Sequence, residues 1–180
     1  MIQVIHGNLI ALADTGIFDV IVHGCNCFHT MGAGLAREIR RGFPAAYNAD
    51  CRTIRGDRRK LGTCSVAQCM TRQGQTLYVV NAYIQYDWRG VGRKADYDAI
   101  RRCLRWIGHT FSRYRIGLPM IGSGLAGGDW SLIERIIIEE LDNLDVTIVR
   151  LLRNSHDHPH VSLLSHPYHE SATEFHLQSP

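Results

Sequence analysis

The sequence predicts an α/β domain, a three-layer α/β/α arrangement around a mixed central sheet. Five short runs, residues 2–6, 20–25, 77–81, 116–120 and 146–152, are rich in Val and Ile, and three of them show almost no polar alternation. That is the pattern of strands covered on both faces. The segments between them carry apolar residues at helical spacing, and strands alternating with helices place helices on both sides of a sheet. With 180 residues, 45% of them hydrophobic, the chain can bury a core without disulfide or metal staples.

Taken in order, the run at 2–6 is a first strand and 20–25 a second. A helix follows on the stripe Leu35, Ile39 and Phe43. Residues 45–54 form another, with Pro44 at its start, where a missing N–H costs nothing. Residues 62–71 read as a further strand, ahead of the buried strand at 77–81. The stripe Tyr97, Ile100, Leu104, Ile107 and Phe111 predicts a long helix before the strand at 116–120. Ile133, Ile137, Leu141 and Leu144 predict the last helix before 146–152. One domain therefore covers residues 1–154. Residues 155–180 hold six histidines and no Lys or Arg, with too little periodic apolar content to fold alone. They read as a C-terminal tail, flexible or draped on the domain. Its histidines can hold a metal ion or simply be part of a polar tail.

A net charge of +3 is too small to define a nucleic-acid binder, although the basic side chains are nearly all arginine, Lys60 and Lys94 being the lysines. Arginine suits bidentate contact with phosphate or carboxylate. Arg52, Arg55, Arg58, Arg59 and Lys60 crowd one segment and Arg89, Arg93 and Lys94 another; each is either a solvated loop or a nucleic-acid contact. No stretch approaches the roughly 20 apolar residues of a membrane span, and the N-terminus runs into a strand without a signal-peptide charge step. The expected setting is the cytoplasm. Five of the six cysteines sit in apolar or element-forming segments, as small buried hydrophobes do, and Cys25-x-Cys27 lacks the spacing of a zinc knuckle. No metal is expected.

Ligands of open α/β sheets lie beyond the carboxyl ends of the strands, so the strand-to-helix segments carry the chemistry. Two are unusual. One runs His23-Gly24-Cys25-Asn26-Cys27 to Met31-Gly32-Ala33-Gly34-Leu35, the other Gly122-Ser123-Gly124-Leu125-Ala126-Gly127-Gly128-Asp129-Trp130. Glycines let the backbone approach a ligand, and a helix N-terminus adds about half a positive charge, so two such loops side by side would cradle a diphosphate. Neither matches the dinucleotide fingerprint, and no Gly-Lys-Ser/Thr is present, which excludes a P-loop. Asn26 can bind sugar hydroxyls or hold a left-handed turn; Asn8 can read a base edge or shape its turn. His23 is either a packed ring or a nucleophile or general acid. Asp129 is either a helix cap or the group that orients His23 or activates water. Because Ser131-x-x-Glu134 offers a capping box of its own, the second role for Asp129 is expected.

These strings, together with Gly7-Asn8-Leu9 and Phe43-Pro44-Ala45-Ala46-Tyr47, resemble the macro domain, the α/β/α module that binds ADP-ribose. The resemblance covers residues 1 to about 154. It implies that Asn8 and the Leu9 backbone lie near the adenine, although most macro domains carry Asp at that position. It implies Asn26 on the distal ribose, Gly32, Ala33, Gly34 and Leu35 around the terminal ribose and diphosphate, and Gly122, Ser123, Gly124, Leu125 and Ala126 over the phosphates. The His-x-Cys-Asn-Cys string and the Gly-Gly-Asp-Trp ending look like the branch that hydrolyses ADP-ribose 1''-phosphate, with His23 and Asp129 in the catalytic positions. No cofactor is implied. A related branch releases ADP-ribose from protein, DNA or acyl groups; one form of it uses a lysine where residues 78–83 here have none. A reader that binds ADP-ribose without chemistry is the third possibility, and modified protein or nucleic acid the possible partner.

Overall fold

The computed structural model describes residues 2–151 and the backbone of Ser162 and Leu163. In chain order the elements are β1 (Gln3–His6), α1 (Leu9–Asp14), β2 (Val20–Asn26), α2 (Gly34–Gly42) and α3 (Pro44–Cys51). After a turn of 3-10 helix at Arg58–Lys60 come β3 (Cys64–Met70), β4 (Thr76–Gln85), α4 (Tyr97–Thr110), β5 (Ile116–Pro119), α5 (Trp130–Leu141), β6 (Val146–Arg150) and β7 (Ser162–Leu163). Among the described residues the sheet has seven strands in the order β3-β4-β2-β5-β6-β1-β7. Strands β4, β2, β5, β6 and β1 are parallel; β3 and β7 are antiparallel to their neighbours at the two edges. The sheet is mixed, as the sequence predicts.

The near-continuous apolar strands arise because both faces are covered. On β2, Val20 and Val22 pack with Ile100, Leu104 and Ile107 of α4 and Ile133 and Ile137 of α5. Ile21, between them in sequence, points the other way and joins Leu9 and Ala13 of α1, Ile39 of α2 and Ala46 of α3. These side chains are almost fully buried, and each such Leu or Ile contributes on the order of 2 kcal/mol of transfer free energy.

Helix α1 is not predicted by the sequence pattern, because six residues are too short to display a stripe. Asn8 caps it, its Oδ1 accepting from the N–H groups of Ile10 at 2.9 Å and Ala11 at 3.1 Å. Strand β4 runs four residues past the expected end at Asn81, a polar residue that interrupts the apolar run yet is wholly buried. The last helix begins at Trp130, earlier than its stripe indicates, and ends at Leu141. The predicted tail lies outside the described residues except for the Ser162–Leu163 backbone, which pairs with Gln3 and Val4.

Close contact at β5 depends on glycine. A Cβ at Gly117 would come within 2.8–2.9 Å of the ring of Phe18, itself 3% exposed. Gly117→Ala is expected to lower stability by about 1–3 kcal/mol through overpacking, read as a lower midpoint in chemical denaturation with unchanged m-value.

Candidate functional site

Strands β2 and β5 are paired in parallel, Val20 with Ile116 and Ile21 with Gly117, so the segments that follow them leave the sheet on the same edge. Between those segments lies a cleft of about 600 Å³, within the usual range for small-molecule sites. A Cβ added at Gly34, on the first loop, would lie 3.5 Å from Leu125 Cδ1 on the second. The two glycine loops do face each other.

Their backbones are arranged for an anion. Helix α2 starts with Gly34 at φ +53° and has no side-chain cap, whereas α1, α4 and α5 are capped by Asn8, Asp96 and Asp129. Among the described residues the N–H groups of Gly34, Leu35 and Ala36 make no hydrogen bond, nor do those of Gly124, Leu125 and Ala126. All six residues line the cleft. Unsatisfied amides at a helix start and in a glycine turn are a ready anion site. Gly122, at φ +75°, reverses the second loop, which is closed by the hydrogen bond from Gly128 N–H to Gly122 O at 2.9 Å.

Of the residues singled out in the sequence, His23, Asn26, Gly32, Ala33, Gly34, Leu35, Gly122, Gly124, Leu125 and Ala126 line this cleft. Asn8, Leu9, Ser123 and Asp129 do not. Asn8 lines a second depression, and its carbonyl oxygen is engaged in capping α1. Leu9 is a core residue, and Ser123 donates to the Met120 carbonyl at 2.8 Å. Asp129 corrects the expectation drawn from the Ser131-x-x-Glu134 string: the helix starts two residues earlier than that box requires. Asp129 is the N-cap, its Oδ1 accepting from Ser131 N–H at 2.8 Å, while its own N–H donates to the Tyr97 hydroxyl. Asn26 ends β2 rather than holding a left-handed turn. Its amide donates to Thr30 O at 2.9 Å and accepts from Phe28 N–H at 2.9 Å, so it shapes the first loop from within; the left-handed residue is His29.

His23 is 1% exposed, and burial pulls its pKa down to about 4. Its Nε2 lies 2.7 Å from Asn81 Oδ1. Asn81 leads to Ser65, Tyr83 and Asp50, and the Asp50 carboxylate is paired with Lys60 at 3.1 Å. Asp50 and Lys60 are 1% and 6% exposed, a buried ion pair whose two members hold each other in place. Burial raises the Cys25 thiol and pushes Cys27 up to about 11, which leaves both as packing groups rather than nucleophiles.

The mouth of the cleft also carries Trp88, which the sequence did not single out, with arginines of both basic segments close by. Trp88, 40% exposed, lines it and meets Phe28 edge-on at 6.0 Å. Arg89 lies over both rings at 5.2–5.3 Å, and Arg58 covers Tyr86 at 4.1 Å. In the sequence Arg58 and Arg89 stand out as members of the two basic segments, while nothing local marks Trp88.

Comparison with known proteins accords with this geometry. The family model of the Macro domain matches residues 22–137. The 17.5 kDa protein of the tk-vs intergenic region of Enterobacteria phage T4 is 34% identical over 154 residues, covering 83% of this chain and 96% of that protein. The ADP-ribose 1''-phosphate phosphatase of Candida albicans is 25% identical, covering 82% and 98%. The DNA ADP-ribosyl glycohydrolase of Mycobacterium tuberculosis is 24% identical over 76% of this chain, which spans 38% of that protein's length. Among solved structures, a Bacteroides thetaiotaomicron protein superposes with a TM-score of 0.68 at 26% identity, covering 84% of this chain and 98% of that one. Thermosipho africanus DarTG in complex with ADP-ribose gives 0.66 at 16% identity, covering 84% and 42%, a likeness of fold alone. With a buried mixed sheet, two facing glycine loops and a family match across more than half its length, the chain belongs to the macro domain family.

Proposed function

We propose that this chain binds ADP-ribose and hydrolyses ADP-ribose 1''-phosphate to ADP-ribose and phosphate. The observation that carries the reading is the two sets of amides without hydrogen-bond partners among the described residues, Gly34 to Ala36 and Gly124 to Ala126, that line one cleft. They suit the diphosphate, with the two riboses to either side. His23 lies against the same cleft and is neutral at physiological pH, because burial lowers its pKa to about 4. A neutral imidazole accepts a proton from an attacking water or attacks phosphorus itself. It is not a ground-state proton donor, so of the two roles read from the sequence, nucleophile and general acid, we retain the nucleophile and add that of base in place of the acid. In the base course, water oxygen bonds to phosphorus, His23 takes the water proton, and the bond from phosphorus to the ribose 1''-oxygen breaks. That oxygen then recovers the proton from the imidazolium. Asp129 serves the site by capping α5 and fixing the loop before it. The six free thiols and the absence, among the described residues, of a helix long and apolar enough to cross a membrane support a cytoplasmic setting.

A second reading rests on the rim. Trp88, Phe28 and Arg89 present aromatic faces beside a guanidinium at the cleft mouth, a surface that suits bases and phosphates of a nucleic acid. It supports release of ADP-ribose from modified nucleic acid, as in the relatives named DNA ADP-ribosyl glycohydrolase. One activity panel of phosphorylated, acylated, protein-linked and DNA-linked ADP-ribose separates the readings. Phosphate release from the first substrate is expected, and release of ADP-ribose from the others without phosphate would replace this reading by the second.

His23→Ala is expected to cut turnover by about 100-fold or more while ADP-ribose affinity stays within about tenfold, since losing chemistry need not lose uniform binding. Calorimetric binding beside steady-state kinetics checks this. For Asp129, Asp129→Ala is expected to lose about 1 kcal/mol of stability, while Asp129→Ser, which can still cap, retains stability and turnover. Loss of turnover in a stably folded Asp129→Ser would assign the carboxylate to the chemistry instead. The histidine also sets a pH dependence. Its folded pKa is depressed, so protons bind the unfolded chain more strongly between pH 6.5 and 4, and stability must fall as pH drops through that window. The shift corresponds to about 3 kcal/mol. Urea denaturation from pH 7 to 4 should show a steeper loss in the native protein than in His23→Gln.

A further inference from the structure

We infer that Asn81 is the positioning residue of His23, fixing the imidazole as its Nε2–H tautomer and leaving Nδ1 as the atom that accepts a proton or attacks phosphorus. The identity of the reacting nitrogen rests on the proposed function; the tautomer does not.

The argument starts from the Asn81 amide. Its Nδ2 donates to the Ala46 carbonyl at 2.8 Å and to Ser65 Oγ at 3.0 Å. Both amide hydrogens are used, and turning the amide over would set its oxygen against the Ala46 oxygen, a contact between two acceptors. Asn81 Oδ1 is thereby held toward His23 Nε2, 2.7 Å away. An amide oxygen only accepts, so Nε2 must carry the hydrogen and Nδ1 the lone pair. Cys25 Sγ lies 3.7 Å from both ring nitrogens, a weak sulfur contact that favours neither. Among the described residues Nδ1 has no other hydrogen-bond partner.

The chain beyond Asn81 runs in one direction. The Tyr83 hydroxyl donates to Asp50 Oδ1 at 2.9 Å, which leaves its oxygen to accept from Ser65 Oγ, 2.7 Å away, and Ser65 accepts from Asn81 in turn. Each donor from His23 onward therefore points toward one buried carboxylate, held by Lys60. Aligned hydrogen bonds of this kind polarise one another, and they reward the tautomer that begins the series. Because the group touching Nε2 is a neutral amide and not a carboxylate, it orients the ring and favours protonation only in part, which burial outweighs. This agrees with a base or nucleophile that is ready at neutral pH. Asn81 also accounts for the polar break in β4: the fold buries an amide there, where a Val would continue the strand as well.

Long-range proton–nitrogen NMR of histidine-labelled protein, without substrate at pH 7, reads the tautomer directly. The resonance that vanishes in His23→Gln is expected to show a protonated Nε2 and a bare Nδ1; a protonated Nδ1 overturns the inference. In turnover, Asn81→Ala is expected to lower kcat by about 10–100-fold with KM within threefold, as for partners that orient a reacting group. Ser65→Ala, a milder change at a half-buried hydroxyl, is expected to lower kcat a fewfold, again with KM held; it serves should Asn81→Ala fail to fold. Unchanged kcat in a folded Asn81→Ala, or a loss of KM alone, would overturn the positioning role. Should no ADP-ribose derivative be turned over, the proposed function fails while the tautomer measurement still decides this one.

Discussion

Parallel pairing of β2 with β5 is the constraint from which the site follows. Two parallel neighbours must send their outgoing segments to the same edge, and both segments here are glycine loops ahead of helices. An antiparallel pairing would have sent them to opposite ends of the sheet. The pairing holds because each strand is covered on both faces, by α4 and α5 on one side and by α1, α2 and α3 on the other. Burial of the core and convergence of the loops are thus one fact seen at two scales.

Beneath the cleft the packing changes character. The apolar clusters give way to a connected series of polar groups from His23 through Asn81, Ser65 and Tyr83 to the Asp50–Lys60 pair. A buried carboxylate and ammonium are costly to desolvate, and pairs of this kind often do little for net stability. Their presence under the cleft, beside the apolar Cys25, Cys27 and Met31, places the cost next to the proposed reaction centre. Lys60 comes from the turn at Arg58–Lys60 and its Nζ also donates to the Cys27 carbonyl. The far end of the network therefore also ties down the first glycine loop.

Much of this was legible in the sequence because the signals were local. Buried strands, helix stripes and the two glycine loops each declare themselves within a dozen residues, and the loops' roles follow from backbone chemistry. What stayed hidden depended on contacts distant along the chain. Asn81 reads as the end of a strand, and only the folded neighbours Ala46 and Ser65 show what its amide does. Asp129 was misread through a plausible capping string two residues downstream: both Asp129 and Ser131 are good caps, and the extended backbone at Asp129 decides between them. Helix α1 was too short for periodicity, and its cap, Asn8, was read for recognition or turn shape without a helix to cap.

Helix α2 carries no side-chain cap where α1, α4 and α5 do. A Ser or Asp in place of Ala33 would ordinarily strengthen the helix by roughly 1 kcal/mol, so the chain forgoes rigidity at that end. On the proposed reading an incoming anion would complete the secondary structure itself, and heat resistance would become a function of occupancy. The uncapped start would also set selectivity, because a side chain fulfilling that role would compete with any phosphate bound there. Thermal tolerance without ligand and appetite for anions would then be opposed by construction at the first turn of this helix.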